Sequence, residues 1–325
     1  MTEPPETAQA LRKRLPAVDL ARGLALVAMG VYHATWDLAY FNFIDAGAAE
    51  TSAMRLFSHA IAMTFLAVAG FSLTLAQGGG FRPRLFARHF AMVAGAAALV
   101  TAASLWLFPQ TPIYFGILHC IAAASLLGLP LVFAPPAVAF AAAIAFALAP
   151  EFLASPLFNG DGLNWTGLNT VEPYANDYRP LAPWAAALFA GVGAGLVARR
   201  AGWLERLARP APQTAPLRAL GWAGRHSLAI YLVHQPLLFA LFYSWIALAG
   251  PPATPQEAAF AKGCQQQCAD AGAPHDLCVR SCACAARDLK SAGLWDRLMS
   301  GHVSPEEKSA ASRIANACVQ RGRSD

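Results

Sequence analysis

The chain has 325 residues, of which 56% are hydrophobic and only 13% are charged. An ordinary soluble domain carries about 25% charged residues, so this composition excludes a chain that is soluble throughout and indicates that lipid solvates much of its apolar surface. The formal net charge of +5 does not indicate nucleic-acid binding. The basic residues lie between hydrophobic segments, which is the pattern of membrane topology.

The first element in chain order is a polar segment, residues 1–15, which we expect to lie in the cytoplasm. The apolar run that follows, Val18 to Trp36, is too long for the core of a signal peptide and lacks a good small-residue cleavage site. We therefore interpret it as a retained first helix. In all, about seven stretches are long enough, or nearly so, to cross about 30 Å of hydrocarbon. They are residues 17–37, 54–77, 86–108, 113–133, 137–154, 181–198 and 227–249.

The basic residues concentrate on one side of these predicted spans. Within residues 1–250, most Lys and Arg precede the first span or lie between the second and third spans and between the sixth and seventh. The loops on the opposite side carry mainly acidic residues, together with Arg55 and Arg179. The positive side should be cytoplasmic. We therefore predict an all-α, polytopic helix bundle of about seven transmembrane helices at 16–250 in a bacterial inner membrane. The tail, 251–325, would then be periplasmic. The basic residues on the positive side are Arg12, Lys13, Arg14, Arg82, Arg84, Arg88, Arg199, Arg200, Arg206, Arg209, Arg218 and Arg225.

The tail is rich in cysteine, and two Cys-x-x-x-Cys pairs each place both thiols on one helix face. A hairpin of two such helices could form two disulfides and leave the remaining two cysteines to form a third, which is one of the 15 connectivities that six cysteines allow. Disulfides need an oxidising compartment such as the periplasm. The proposed pairs are Cys264 with Cys282, Cys268 with Cys278, and Cys284 with Cys318.

Two further possibilities concern the cysteines: a zinc site in the tail and a packing role for the seventh cysteine. The tail cysteines could bind zinc together with His275, although Cys-x-x-x-Cys on a helix is less usual for zinc than Cys-x-x-Cys. The seventh cysteine, Cys120, lies in a predicted membrane helix, where a cysteine most often packs as a small apolar residue.

The first span carries four ionisable residues on one helix face: Asp19, Arg22, His33 and Asp37. Ionisable residues inside a membrane are costly and mark functional sites. Asp19 and Arg22 are one turn apart at the cytoplasmic end and can pair, as can His33 and Asp37 near the outer end. Because a carboxylate beside an imidazole fixes its tautomer and raises its basicity, His33 and Asp37 are typical of a general base.

Two further histidines, His59 and His119, are expected at the depth of His33. Three histidines in one leaflet indicate a polar site. For His59 and His119 the alternative, that the imidazole only bonds a neighbouring backbone group, stays open.

The last span begins after Arg225, and Ser227, Tyr231 and His234 share one face of it. These side chains place polar atoms inside the bundle. Arg225 has a competing interpretation as an anchor at the membrane interface.

Three segments, 18–38, 116–122 and 224–236, carry a family resemblance. They read VDLARGLALVAMGVYHATWDL, GILHCIA and GRHSLAIYLVHQP, and in this order they resemble the motifs of the heparan-α-glucosaminide N-acetyltransferase catalytic-domain family over about residues 15–250. Arg22, ten residues and then His33 is also similar to the Arg-x10-His pattern of the wider membrane acyltransferase superfamily.

The resemblance implies transfer of an acetyl or other acyl group from cytoplasmic acyl-CoA to an extracytoplasmic acceptor, commonly a sugar amine or hydroxyl. His33 would be the base or a transient acyl carrier, and Asp37 would orient it. Acyl-CoA is a substrate, and no bound cofactor or metal is expected. The residues predicted to bind substrate or acyl-CoA are Asp19, Arg22, Arg84, His119, Arg225, Ser227, Tyr231 and His234.

Two other classes of function remain open. Buried His and Asp residues also serve proton-coupled transporters, although the chain shows no inverted repeat. A non-catalytic membrane subunit is the second alternative. The tail is not part of the family motifs, and it could be a cap, an acceptor-recognition module or a docking site for a periplasmic partner. The expected partners are the lipid bilayer, acyl-CoA and a glycan acceptor, with no nucleic acid.

Overall fold

The structure is a computed structural model that describes residues 15–209, 214–250 and 254–324. Within these ranges the chain is all-helical and contains no strand, which confirms the predicted fold class. The basic cluster Arg12, Lys13 and Arg14 lies outside the described residues, as do the first tail residues, 251–253.

The membrane region consists of helices joined by short turns and one longer loop between α5 and α6. This loop and the turns contain the 3-10 segments Ala46–Glu50, Pro130–Phe133, Pro156–Asn159 and Asn164–Thr166. The helices are α1 (Pro16–Tyr40), α2 (Ser52–Gln77), α3 (Pro83–Leu107), α4 (Ile117–Gly128), α5 (Pro136–Leu153), α6 (Leu181–Arg200), α7 (Leu204–Leu207), α8 (Ala215–Arg225) and α9 (Ser227–Ala249).

Six helices of the described ranges are long and apolar enough to cross a membrane, namely α1, α2, α3, α5, α6 and α9. The remaining predicted span, 113–133, forms the 12-residue helix α4 followed by the 3-10 turn Pro130–Phe133. At 1.5 Å per residue α4 rises about 18 Å, less than the hydrocarbon thickness of about 30 Å. The helix is short because residues 113–116 approach it in a non-helical conformation and Pro130 lacks the N–H that an α-helix needs.

Helix α6 is the centre of the bundle. Its residues Leu188, Val192 and Leu196 are buried in one cluster with residues of α2, α4 and α5. Glycine allows α2 and α6 to touch backbone to backbone, because a Cβ at Gly70 or at Gly191 would overlap a carbonyl oxygen of the other helix. Close approach through small residues is how membrane helices gain packing energy where lipid removes the hydrophobic driving force.

Helix α1 packs on α2, α8 and α9. Met29 of α1 lies in a buried cluster with Ile61 of α2. A Cβ at Gly23 or Gly224 would overlap a backbone carbonyl across the α1 and α8 contact. Tyr231 of α9 packs against both this cluster and the one formed by α3 and α4.

The chain divides into two compact units, residues 1–34 with 51–239 and residues 35–50 with 240–325. The tail within the second unit is helical, as predicted. Capping boxes start two of its helices, Thr254 with Glu257 and Ser304 with Glu307. Its helices are α10 (Pro255–Asp270), α11 (His275–Ser291), α12 (Trp295–Met299) and α13 (Pro305–Ser324).

All three predicted disulfides are present. The Cα atoms are 5.9 Å apart in Cys264–Cys282, 5.6 Å in Cys268–Cys278 and 5.6 Å in Cys284–Cys318. These pairs leave none of the six tail thiols free, so the structure favours the disulfide interpretation over the zinc site.

Cys120 is a free, fully buried thiol, as predicted for a packing residue. Its Sγ lies 3.7 Å from the carbonyl oxygen of Pro180.

Candidate active site

Two imidazoles meet inside the bundle. His33 of α1 and His234 of α9 have ring centroids 4.9 Å apart, with planes tilted by 58°. His234 Nδ1 lies 2.6 Å from the carbonyl oxygen of Tyr231. A carbonyl only accepts hydrogen bonds, so Nδ1 carries the proton of the neutral ring and Nε2 holds a lone pair.

The lone pair of His234 has no hydrogen-bond partner among the residues that the structure describes. Nε2 is buried and accepts no hydrogen bond within the described part of the chain. A buried polar atom without a partner is costly and calls for an explanation. A substrate proton at this site would satisfy it.

Tyr231 lies one turn before His234, with ring centroids 5.6 Å apart. Ser227 shares their face of α9, as predicted. Seven residues separate it from His234, a rise of about 10 Å along α9. Ser227 therefore lies at the N-terminal end of α9, well away from the imidazole pair.

Arg179 is a cation that sequence analysis did not assign to the site. Its Nη2 donates to Ser58 Oγ at 2.8 Å and its Nη1 to the Tyr178 carbonyl at 2.9 Å. The guanidinium also lies over the Trp184 ring, 4.7 Å from the centroid. The only sequence signal is its position in the last loop residues before α6, which short-range patterns do not relate to His33.

The same loop caps α4. Asp177 Oδ2 accepts a hydrogen bond from the backbone N–H of Ile117 at 3.0 Å, where a carboxylate is favoured by the exposed N–H groups of a helix N-terminus. Tyr178 donates its hydroxyl hydrogen to one of two oxygens, those of Asn164 and Asn169, each 2.6 Å away. Burial raises the pKa of Tyr178 to about 12, so this phenol stays protonated.

His119 uses both ring nitrogens at the start of α4. Nδ1 accepts from the Gly116 N–H at 3.3 Å, which leaves Nε2 to donate to Thr101 Oγ1 at 3.2 Å. Thr101 in turn donates to the Ile113 carbonyl at 2.8 Å. These bonds match the backbone-bonding alternative, and a substrate role for His119 stays a prediction.

His59 is exposed on α2 and meets the Trp184 ring edge to face, with centroids 5.0 Å apart. It therefore lies beside the aromatic surface that Arg179 covers. A role for His59 in the polar site stays a prediction.

The opposite end of α1 carries a second polar cluster. Arg22 pairs with Asp19 at 3.8 Å, as predicted, and donates to Ser72 Oγ at 2.6 Å. Gly224 packs on the backbone of Asp19, so the next residue, Arg225, lies close to this end with an exposed side chain.

Two further predicted residues are Arg84 and Asp37. Arg84 is exposed in the first turn of α3 and makes no hydrogen bond or ion pair within the described residues. Asp37 is fully buried one turn beyond His33 on the continuous helix α1, and its role in orienting that imidazole stays a prediction.

Apolar helices with ionisable side chains at two depths define a membrane-embedded protein with a polar site inside the bundle. The chain matches the sequence model of the family described as "Heparan-alpha-glucosaminide N-acetyltransferase, catalytic" over residues 14–236, more than half of its length. It belongs to this family, which confirms the resemblance, and it is therefore a membrane acyltransferase. The match ends at residue 236, before the tail. Comparison with curated proteins and with solved structures gave no match.

Proposed function

We propose that the protein transfers an acyl group, such as acetyl, from cytoplasmic acyl-CoA to an extracytoplasmic acceptor, a sugar amine or hydroxyl. The observation that carries this proposal is the pair of imidazoles, His33 and His234, with the unpartnered Nε2 lone pair of His234. A basic nitrogen buried in an apolar bundle is suited to removing a proton from an acceptor.

The donor would bind along α1. A guanidinium suits phosphate groups because it donates hydrogen bonds in a fixed fork, and Arg22 is held in place by Asp19 and Ser72. Arg225 adds a second cation at the same end, and Arg84 is a further candidate. Eleven residues separate Arg22 from His33, about 16 Å along the helix, which is of the same order as an extended pantetheine arm.

The overall reaction moves one proton from the acceptor to the CoA sulfur. It also replaces the carbon–sulfur bond of the thioester with a bond from the carbonyl carbon to the acceptor. In direct transfer the acceptor N or O atom bonds to the carbonyl carbon and gives its proton to an imidazole. The carbon–sulfur bond then breaks, and the CoA thiolate takes that proton. In the alternative, an unprotonated nitrogen of His33 first bonds to the acyl carbon, and the carbon–sulfur bond breaks so that CoA leaves as the thiolate. The acceptor N or O atom then bonds to the acyl carbon while His234 removes its proton. The bond from the acyl carbon to His33 breaks, and the thiolate takes the proton from His234. Asp37 would orient His33 in both routes.

The proposed topology places the N-terminus in the cytoplasm and the tail in the periplasm of a bacterium, with the bundle in the inner membrane. Arg82, Arg84 and Arg88 between α2 and α3, and Arg199 and Arg200 at the end of α6, support this orientation under the positive-inside rule. The three disulfides support an oxidising compartment for the tail.

This orientation is tested on intact cells with a membrane-impermeant reductant followed by an impermeant maleimide. We expect tail thiols to be labelled, whereas a cysteine introduced by Arg84→Cys in a chain with all tail cysteines replaced by serine stays unlabelled. The reverse pattern would contradict the topology.

The function is tested by equilibrium binding of acetyl-CoA to the purified full chain in lipid nanodiscs, together with release of free CoA over time. Arg22→Ala should weaken binding by about tenfold or more, because hydrogen bonds to charged groups contribute about 1.5–3 kcal/mol. Arg55→Ala is the matched control, since Arg55 is exposed and, among the described residues, its guanidinium bonds only Ser52 on its own helix, at 3.4 Å.

Two outcomes would count against the proposal. If the wild-type protein binds neither acetyl-CoA nor a longer acyl-CoA, the donor assignment is wrong. Binding without any release of CoA, with or without sugar acceptors, would favour the non-catalytic subunit instead.

A further inference from the structure

We propose that Arg179 supplies the positive charge that stabilises the oxyanion formed at the thioester carbonyl during acyl transfer. This inference rests on the proposed function and adds a residue to it. Three observations support it. The guanidinium of Arg179 is held by several partners, it lies at the level of His33, and two of its N–H groups are available to a ligand.

The Arg179 side chain is fixed by elements that come from separate parts of the chain. Ser58 belongs to α2 and Trp184 to α6, and the Arg179 backbone N–H donates to the Phe115 carbonyl before α4 at 2.9 Å. A charge that is already oriented when the reaction starts needs no reorganisation in the transition state. Such preorganised donors are commonly the largest contribution to acyl-transfer catalysis.

The packing of α1 on α2 places Arg179 at the level of His33. Met29 and Ile61 share a buried cluster, and consecutive spans run in opposite directions. His33 lies one helical turn closer to the outer end than Met29 on α1, and Ser58 lies one turn closer to that end than Ile61 on α2. Ser58 is the residue that Arg179 bonds.

The guanidinium keeps donors for a ligand. Of its five N–H groups, one reaches Ser58 and one the Tyr178 carbonyl. Asp177 is 3.7 Å from Nε, too far for a hydrogen bond, and its other oxygen serves Ile117. Two terminal N–H groups therefore stay available within the described residues, on a side chain that is 18% exposed.

The chemistry places negative charge where these donors can serve. When the acceptor bonds to the carbonyl carbon, the carbonyl π electrons move to oxygen, and the two N–H groups of Arg179 donate hydrogen bonds to that oxygen. Collapse restores the carbonyl and breaks the carbon–sulfur bond. The thiolate takes the proton held by the imidazole, and Arg179 keeps its protons throughout.

The test uses Arg179→Gln and Arg179→Lys in the full chain in nanodiscs, with Arg55→Gln as the control. Loss of one oxyanion donor lowers kcat by about 100- to 1,000-fold. We expect a fall of this size in Arg179→Gln, a smaller fall in Arg179→Lys, and acetyl-CoA binding within about threefold of wild type in both. Ser58→Ala, which removes only an orienting partner, should lower kcat by about tenfold, since 1.4 kcal/mol of a lost hydrogen bond is that factor.

A second measurement separates catalysis from a structural role. An acyl-CoA dithioester, in which sulfur replaces the carbonyl oxygen, accepts hydrogen bonds weakly. Wild type should therefore prefer the oxygen donor more strongly than Arg179→Gln does. Equal preference in the two proteins, or an unchanged kcat in the variant, would overturn this proposal alone. A wild-type protein that turns over no acyl-CoA would overturn the proposed function and this inference with it.

Discussion

The membrane bundle and the tail are held together by different means. In the bundle, Gly70 and Gly191 bring two helix backbones into contact, and lipid covers the many apolar side chains that face outward. The tail buries only a few side chains, among them Leu289 and Trp295, and adds three disulfides. A small helical unit in water has too little core to stabilise itself and needs covalent links, whereas a membrane bundle needs close packing.

The largest expected effect is the loss of a tail disulfide. Cys284–Cys318 closes a loop with a sequence separation of 34 residues, for which chain entropy predicts about 4 kcal/mol. The double change Cys284→Ser with Cys318→Ser should expose α11 and α13 to hydrogen exchange, measured by mass spectrometry, while bundle helices stay protected. Cys120→Ser is the control in the bundle. Equal protection of α13 in variant and wild type would show that the tail does not depend on this link.

The next effect concerns the bundle. A side chain in Gly191→Leu would overlap the Ala67 carbonyl of α2, so the helices must separate at a cost of about 3 kcal/mol or more. The midpoint temperature of thermal unfolding, measured in nanodiscs, should therefore be lower than that of wild type. Gly95→Leu on α3 is the matched control, because nothing lies within 4 Å of the added Cβ. Similar midpoints for both variants would refute backbone contact as the main stabilising feature.

A smaller effect is expected in the loop that carries Arg179. Tyr178→Phe removes the hydroxyl that bonds the Asn164 carbonyl or Asn169 Oδ1, which costs about 1–2 kcal/mol and should increase hydrogen exchange in residues 155–180. Tyr174→Phe is the control, since Tyr174 is 85% exposed.

The phenol of Tyr178 also makes the stability of this loop depend on pH. Burial raises the pKa of Tyr178 to about 12 in the folded protein, compared with about 10 in the unfolded chain. The stabilisation is therefore complete below pH about 10 and is lost as the pH rises toward 12. Exchange of the loop amides, corrected for the intrinsic rate, should follow this course in wild type but not in Tyr178→Phe.

The smallest effect lies at the start of α13. The backbone N–H of Ser304 holds the pKa of Glu307 below its usual range. Because the folded-state pKa is lowered, this capping contribution is present at neutral pH and is lost as the pH falls through that lowered value. We expect the first turn of α13 to fray at acidic pH, with a weaker pH response in Glu307→Ala. Glu306→Ala, in the same turn, should behave as wild type.

Sequence patterns predicted the parts that depend on regular spacing. Apolar length located the spans, and i, i+4 cysteines located two of the disulfides, because both follow from helix periodicity. The third disulfide followed as the remaining pair. The Asp19–Arg22 pair followed from the same spacing. The predicted span 113–133 contains the shorter helix α4, because Pro130 and the non-helical residues before Ile117 limit it.

The sequence could not give contacts between elements far apart in the chain. His33 and His234 were both identified as site residues, but their proximity depends on α1 packing against α9. Arg179 was missed because a loop has no periodicity to read. The two nitrogens of His119 are committed to Gly116 and Thr101, which only the three-dimensional structure reveals.

We propose that acyl transfer takes place at His33. The sharpest test is single-turnover release of CoA from bound acetyl-CoA by His33→Ala, with His226→Ala as the control, because His226 is an exposed histidine that bonds the Trp222 carbonyl. We expect His33→Ala to bind acetyl-CoA as wild type does but to release CoA about 100- to 10,000-fold more slowly, while His226→Ala is unaffected. Release by His33→Ala at the wild-type rate would contradict this proposal.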